Sequence, residues 1–274
     1  MNALSTIAGV AETKLVSSAS ASLPAISPTL LILRPHELIQ LLPSFKALAQ
    51  SPIVLQISTH QDHAQVLALR GSGLALLYSA DDREAVVNAQ VAARVAATGR
   101  GVVHFGEFAV AVYPESTDSI AKLNGTLDGS KPSTASTFAA AYASLPPHSA
   151  APYTFAGDAA PSTLIVALGN TSALVPALPT TVALLSLSLY RPLSSALVRS
   201  LIPASVKTVV VLEQIAASHT KWSPVFLDVV GAFAEVDDEA PVVLSGILGR
   251  VTDSAAAIQT ISGEFRSTFF PIEN

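Results

Sequence analysis

The residue types best suited to metal binding cluster at His60, Gln61, Asp62 and His63. Two histidines three positions apart can bind Zn²⁺ when they lie on one face of a helix, but two ligands do not make a site. The carboxylate of Asp62 also suits the start of a helix, where it accepts a backbone N–H. We therefore predict that this cluster begins a helix and that the chain has no metal ligands.

Two titratable residues fall within or just after the apolar run 101–105. His104 could act as a base, although a histidine in such a run is more often a hydrogen-bonded core residue. Glu107 follows Gly106 at the predicted carboxyl end of a strand, where the active sites of α/β proteins gather. We favour a solvated loop carboxylate for Glu107 and assign neither residue a catalytic role.

Arg191 and Glu213 lie at the predicted carboxyl ends of two strands. Arg191 could bind an anion, or it could pair with Glu213 across adjacent strands. We favour the pair, which would keep the Glu213 carboxylate ionised. Trp222 is predicted to anchor a loop at a domain or subunit contact, because aromatic residues concentrate at interfaces.

Two segments contain glycines that could approach a phosphate group, Gly169-Asn170-Thr171 and Gly246-x-x-Gly249. Neither has the glycine spacing and lysine of a P-loop, and neither has the full dinucleotide-binding pattern. The sequence therefore assigns no cofactor-binding residue.

The composition narrows the classes of function. The chain has 274 residues, of which 50% are hydrophobic and 13% charged, enough for two small domains. A net charge of −5 without a basic cluster gives no support for binding nucleic acid or a membrane surface. The lack of cysteine excludes disulfides, thiolate metal sites and cysteine-ligated iron–sulfur clusters. No apolar run reaches the roughly 20 residues of a membrane-spanning helix.

The first half of the chain alternates predicted strands with predicted helices. Residues 1–26 are predicted to be a flexible tail without the arginines of a transit peptide, so we expect a cytoplasmic protein. Ser79 is predicted to cap the second helix, with Asp81 and Asp82 near its positive end. The strands are predicted at 29–33, 53–57, 73–78 and 101–105, and the helices at 36–50 and 83–97.

The second half repeats this alternation after a predicted linker over 114–161, which is rich in Pro, Ser, Thr, Ala and Gly and in which Phe138, Tyr142 and Leu145 allow a short helix. The runs 181–190 and 207–212 flank a predicted helix over 194–202, an arrangement typical of a parallel sheet with a right-handed crossover. Further strands are predicted at 163–168 and 241–244, and further helices at 172–177, 224–235 and the start of 255–270.

Three segments of this half resemble the second domain of pyruvate:ferredoxin/flavodoxin oxidoreductases. They are Leu189 to Ser194 (LYRPLS), Val206 to Glu213 (VKTVVVLE) and Pro224 to Phe233 (PVFLDVVGAF), in the order of that family. The resemblance implies the fold of the transketolase C-terminal domain over 162–274.

The segment Thr59 to Phe108 is similar to the later part of the first, pyrimidine-binding domain of the same family. The resemblance implies two three-layer α/β domains with mostly parallel sheets, the first of them a degenerate pyrimidine-binding-like domain over 27–113. The matching residues are His60, Gln61, Asp62, Arg70, Gly73, Ala75, Leu77, Ser79, Glu84, Ala85, Ala89, Ala93, His104, Phe105 and Phe108.

The residues that carry catalysis in that family have no counterpart here. Its enzymes oxidise 2-oxoacids with thiamine diphosphate and Mg²⁺, using a glutamate, an arginine and a Thr-x-Ser-x-Gly loop. The polypeptide before residue 59 has no equivalent of these groups, and a Gly-Asp-Gly cofactor motif is also missing. We therefore expect no thiamine-dependent catalysis by this chain alone.

A degenerate first domain followed by the second domain resembles the N-terminal region of the flavoprotein component of fungal assimilatory NADPH–sulfite reductases. The resemblance implies a non-catalytic scaffold whose partners are other domains or subunits of such a complex. FAD, FMN and NADPH would bind to further domains, and no cofactor is expected in this chain. Two alternatives are a fragment of a thiamine diphosphate-dependent 2-oxoacid:ferredoxin oxidoreductase and a separate small-ligand-binding α/β protein.

Overall fold

The computed structural model describes residues 28–59, 62–108, 134–146, 150–172, 174–215, 222–234 and 240–248. The chain divides into two compact units, each built on one five-stranded, mostly parallel sheet with helices. The predicted α/β class with two domains is therefore confirmed. Unit 1 takes in Met1–His60, Gln65–Pro152 and Leu189–Pro192, and unit 2 takes in Gln61–Ala64, Tyr153–Ser188 and Leu193–Asn274.

The described residues form ten strands and six α-helices. The strands are β1 (Thr29–Leu33), β2 (Ile53–Ser58), β3 (Ala75–Ser79), β4 (Val102–Gly106), β5 (Tyr153–Gly157), β6 (Thr163–Leu168), β7 (Val182–Leu187), β8 (Leu189–Arg191), β9 (Thr208–Glu213) and β10 (Val242–Ile247). The helices are α1 (Phe45–Leu48), α2 (Ala64–Leu67), α3 (Asp82–Ala96), α4 (Thr134–Ala143), α5 (Ser195–Leu201) and α6 (Pro224–Phe233). Among the same residues, 3₁₀ segments span Pro35–Ser44, Ala68–Gly71 and Val175–Ala177.

The sheet of unit 1 has the strand order β1-β2-β4-β3-β8. Strands β1 to β4 are parallel, and β8 pairs with β3 in the antiparallel direction. Strands β3 and β4 are buried along their whole length, as expected when both faces of a parallel sheet are covered. His104 is the third residue of β4 and has Gln56 of β2 and Leu77 of β3 as its neighbours.

Proline changes the helix predicted over 36–50. The segment Pro35–Ser44 is a 3₁₀ helix, and only the short α1 follows it. Pro43 lacks a backbone N–H, and its ring would collide with the carbonyl of residue 39 in an α-helix. The tighter 3₁₀ turn lets the apolar face form without that hydrogen bond, and Leu38 and Leu41 are buried.

Helix α3 begins at a cap that differs from the predicted one. The carboxylate of Asp81 accepts the backbone N–H of Glu84 at 2.8 Å, and the Glu84 carboxylate accepts the N–H of Ala80 at 2.8 Å. These two bonds satisfy N–H groups that the first turn leaves without helical partners. Ser79, predicted as the cap, is instead the buried last residue of β3.

Helix α4 lies inside the range predicted as a linker, 114–161. Its side chains Phe138 and Tyr142 are buried, and Arg94 of α3 donates to the carbonyl of Ala141 and, at 2.5 Å, to the hydroxyl of Ser144. Strand β5, at the other end of that range, belongs to the sheet of unit 2. The predicted linker therefore overlaps both units, while 109–133 and the predicted elements at 1–26 and 255–270 lie outside the described residues.

The sheet of unit 2 has the order β10-β9-β6-β7-β5, with β5 antiparallel to β7 and the other neighbours parallel. From β6 the chain continues to β7, which pairs with one edge of β6. It then passes through α5 to β9, which pairs with the other edge of β6. The carboxyl ends of β6 and β9 thus form a topological switch point, the place where open α/β sheets bind ligands.

The strand predicted over 181–190 is wrong as a single element. The chain breaks at Ser188, so that β7 ends in the sheet of unit 2 while β8 pairs with β3 in unit 1. The predicted neighbours 181–190 and 207–212 are also not adjacent, because β6 lies between β7 and β9. An apolar run gives no local signal of which sheet each half will join.

We predict that Gly106→Ala is strongly destabilising. Gly106 has a φ of +156°, and a Cβ at this position would collide with the backbone carbonyl of Ser79 on the adjacent strand. Such a backbone conformation costs a residue with a side chain about 1–3 kcal/mol, before the two strands have moved apart. Urea unfolding at equilibrium measures the loss.

Gly231→Ala is the control, because Gly231 lies in α6 with open space around it. This change should raise the free energy of unfolding by about 0.5–1 kcal/mol, since alanine favours the helix. Equal effects of the two substitutions would contradict the assignment of a backbone contact at Gly106.

Candidate functional site

The switch point of unit 2 is occupied by the side chain of Gln214. Its Oε1 accepts the backbone N–H of Asn170 at 3.1 Å, and its backbone N–H donates to Leu168 at 3.2 Å. Its carbonyl accepts the N–H of His63 at 2.9 Å, and the residue is 5% exposed. The Gln214 amide oxygen thus already accepts the N–H of Asn170, which an anionic ligand bound at the loop after β6 would need.

The loop after β6 is closed by contacts of its own. The Asn170 side chain accepts the backbone N–H of Ser172 at 3.2 Å and its hydroxyl at 2.8 Å, while the hydroxyls of Thr171 and Ser186 lie 2.8 Å apart. A Cβ on Gly169 would come within 2.8 Å of the Gln214 oxygen. The glycine therefore makes room for Gln214, which accounts for it without a phosphate.

The second glycine segment contributes little to this edge. Gly246 lies within β10, paired with Leu212, and Gly249 falls outside the described residues. A glycine in a regular strand position gives a phosphate no loop to bind.

Glu213, the last residue of β9, is a fully buried carboxylate that holds the start of α6. Its two oxygens accept the backbone N–H groups of Val225 at 2.9 Å and Phe226 at 3.0 Å. Burial removes this carboxyl group from water and raises the pKa of Glu213, although the two backbone hydrogen bonds oppose the shift by favouring the charged form. The buried Ser223 hydroxyl also lowers that pKa, although its geometry falls short of a hydrogen bond.

The predicted pair between Arg191 and Glu213 is wrong. The Arg191 guanidinium donates from Nε to the carbonyl of Arg70 at 3.2 Å and from Nη1 to that of Tyr190 at 3.1 Å. It also lies 4.1 Å from the centre of the Tyr190 ring. Arg191 belongs to unit 1 and Glu213 to unit 2, and backbone N–H groups take the place that the arginine was predicted to fill.

A chain of buried polar side chains crosses the core of unit 1. The Tyr142 hydroxyl donates to Asn88 Oδ1 at 3.0 Å, and Asn88 Nδ2 donates to the carbonyl of Tyr78 at 2.9 Å and to Ser79 Oγ at 3.0 Å. Ser79 Oγ in turn lies 2.9 Å from Nε2 of His104. The polar network, as we call Tyr142, Asn88, Ser79 and His104, ties α4 and α3 to β3 and β4.

The serine and histidine of the polar network have the spacing of a nucleophile and its base. Both residues, however, are 0% exposed, and burial lowers the pKa of His104 to about 3. A substrate has no access to the hydroxyl, so the pair is structural, as predicted for His104. Asn88, which the sequence reasoning missed, could have been found as the polar residue on the apolar face of α3.

The predicted start of a helix at Asp62 is confirmed, since its Oδ1 accepts the N–H of Ala64, the first residue of α2, at 2.9 Å. His63 is buried, which lowers its pKa to about 3. His60 and Gln61 lie outside the described residues, and no group of three or more metal-ligating side chains occurs within them. Glu107 is partly exposed and donates its backbone N–H to Ser79 at 3.2 Å.

An exposed aromatic contact in the described part of unit 2 lies just before and within the first turn of α6. Trp222 is 52% exposed and stacks on Phe226, with ring centres 5.4 Å apart and planes 12° from parallel. Leu227 and Val230 on the same helix are 41% and 37% exposed. We call Trp222, Leu227 and Val230 the α6 face.

Neither a protein-family model nor a curated protein matches this chain. Function must therefore be argued from the residues themselves. In the part of the chain that the structure describes, no helix is long and apolar enough to cross a membrane.

We predict that stability depends on pH through Glu213. Because burial raises its pKa in the folded protein, the folded chain keeps a proton that the unfolded chain has already released. Raising the pH from the ordinary carboxyl range through the raised pKa therefore lowers the free energy of unfolding. Glu213→Gln cannot ionise and should lack this loss.

The measurement is urea unfolding of both proteins at a series of pH values. The wild type should lose stability relative to Glu213→Gln as the pH rises. A difference that stays constant with pH, or that changes in favour of the wild type, would contradict the buried-carboxyl assignment.

Proposed function

We propose that this chain is a non-catalytic assembly region of an oxidoreductase, similar to the N-terminal part of the flavoprotein component of assimilatory NADPH–sulfite reductases. The observation that carries the proposal is the filling of the switch point by Gln214, beside the buried cap at Glu213. In this sheet, the protein's own side chains fill the crevice in which α/β proteins bind ligands. We therefore infer that the fold has been retained and that ligand binding has been lost.

Unit 1 supports the same proposal from a different feature. Its Ser79 and His104 have a catalytic spacing, but both are sealed in the core by Asn88 and Tyr142. The segments that resemble pyruvate:ferredoxin/flavodoxin oxidoreductases thus contribute polar groups to packing. This is the pattern expected when a domain is retained for assembly.

The α6 face offers such an assembly region a contact surface. Its three side chains are large, apolar and between 37% and 52% exposed, and the stacking on Phe226 limits the motion of Trp222. Rigid aromatic residues of this kind often contribute most of the binding energy at protein interfaces. The partners we propose are other domains or subunits of a sulfite-reducing complex in the cytoplasm.

We expect Trp222→Ala to weaken that association by about 10-fold or more, because a tryptophan at the centre of an interface is a common hot spot. Leu227→Ala should weaken it less. The affinity of the full chain for the flavin-binding domains and the sulfite-reducing subunit of its own organism is measured by sedimentation or calorimetry.

Ile39→Ala is the matched control, since Ile39 is 64% exposed but lies in unit 1. It should leave the affinity unchanged, and all three variants should keep the wild-type unfolding transition. No association with these partners, or equal losses in Trp222→Ala and Ile39→Ala, would count against the proposal.

Calorimetric titration with thiamine diphosphate and Mg²⁺ tests the alternative of a thiamine-dependent 2-oxoacid oxidoreductase fragment. We expect no heat of binding, because the residues that hold the cofactor in that family have no counterpart in the sequence before residue 59. Saturable binding would favour the alternative. The absorbance spectrum of the purified chain is a second test. Absorption bands of a bound flavin would also contradict the assembly role.

A further inference from the structure

A small cavity lies between α3 and the strands β1, β2 and β4 of unit 1. Its volume is about 40 Å³, and its apolar walls include Leu30, Val54, Ala89 and Ala93. Two buried polar side chains, Gln56 and His104, also line it. They are direct neighbours on β2 and β4, so both project from the same face of the sheet.

The hydrogen bonds of the polar network determine which nitrogen of His104 carries its proton. Asn88 Nδ2 donates to the carbonyl of Tyr78, which fixes the orientation of the amide, and it also donates to Ser79 Oγ. The Ser79 hydroxyl makes no other hydrogen bond to a described residue that could accept its proton, and His104 Nε2 lies 2.9 Å away, so we assign the hydroxyl as the donor in this bond. Since Nε2 accepts, the proton of the neutral imidazole is on Nδ1.

The Nδ1–H of His104 has no hydrogen-bond acceptor among the described residues. A buried N–H without a partner is costly, and such groups usually bind an ordered water when space permits. The cavity offers that space, because its volume of about 40 Å³ exceeds the roughly 10–15 Å³ that one water needs.

We propose that this cavity is an internal water-binding site in which an ordered water accepts the proton of His104 Nδ1. Gln56 provides the second polar group of the site, and a water in a protein interior commonly makes two to four hydrogen bonds. The polar network thus continues from His104 into the space between α3 and the sheet.

Val54→Ile tests the site because it adds one carbon to a wall of the cavity. If the cavity holds a bound water, the added carbon displaces it and leaves Nδ1–H without an acceptor. We expect the melting temperature to fall by about 2–4 °C. In a dry apolar cavity the same substitution would fill empty space and raise the melting temperature.

The control is the same substitution in the His104→Leu background, where no Nδ1–H needs an acceptor. Val54→Ile should there raise the melting temperature or leave it unchanged. Equal shifts in the two backgrounds, in either direction, would overturn the proposal, because they would show that the added carbon and His104 are not coupled.

A second measurement does not depend on the folding of a variant. Nitrogen-15 NMR of the histidine rings in the wild-type chain should show His104 as neutral with its proton on Nδ1, and this proton should show magnetisation transfer from water. A proton on Nε2, or an Nδ1 proton with no transfer from water, would overturn the proposal.

Discussion

The hydrogen bonds between the Glu213 carboxylate and the first N–H groups of α6 are the contact on which unit 2 depends. The carboxylate lies at the end of β9, is fully buried and bonds to two consecutive N–H groups. A buried carboxyl group is costly unless such donors surround it. The position of α6 is therefore fixed by a polar contact, and apolar packing of Val225, Val229 and Ala232 completes it.

The same physical requirement explains the core of unit 1. Parallel strands buried on both faces leave polar side chains no access to solvent, so each must find a partner within the protein. Asn88 meets this requirement for a carbonyl, a serine and a tyrosine at once. It therefore joins two helices to the sheet at one point, which apolar side chains of the same size could not do with the same specificity.

Much of the fold could be predicted from the sequence, because buried parallel strands are apolar runs that local inspection finds. β1 and β6 have the predicted ends, and β4 and α3 are each displaced by one residue. The errors have a common cause: they concern which distant residue serves as a partner. Ser79 looks like a helix cap until His104 and Asn88 are brought beside it, and Arg191 looks like the partner of Glu213 until the chain enters another sheet. Such pairings depend on topology, which sequence spacing does not contain.

Strand β8 makes the two units inseparable along the chain. It lies between β7 and α5 in the sequence, yet it completes the sheet of unit 1 by pairing with β3. A protein cut after Pro152 would lose this edge strand, and the N–H and C=O groups of β3 would be open to pairing with another molecule. Because the sequence of each unit is interrupted by the other, a single recombination event could not exchange, duplicate or remove one complete unit. The two units would therefore be inherited together.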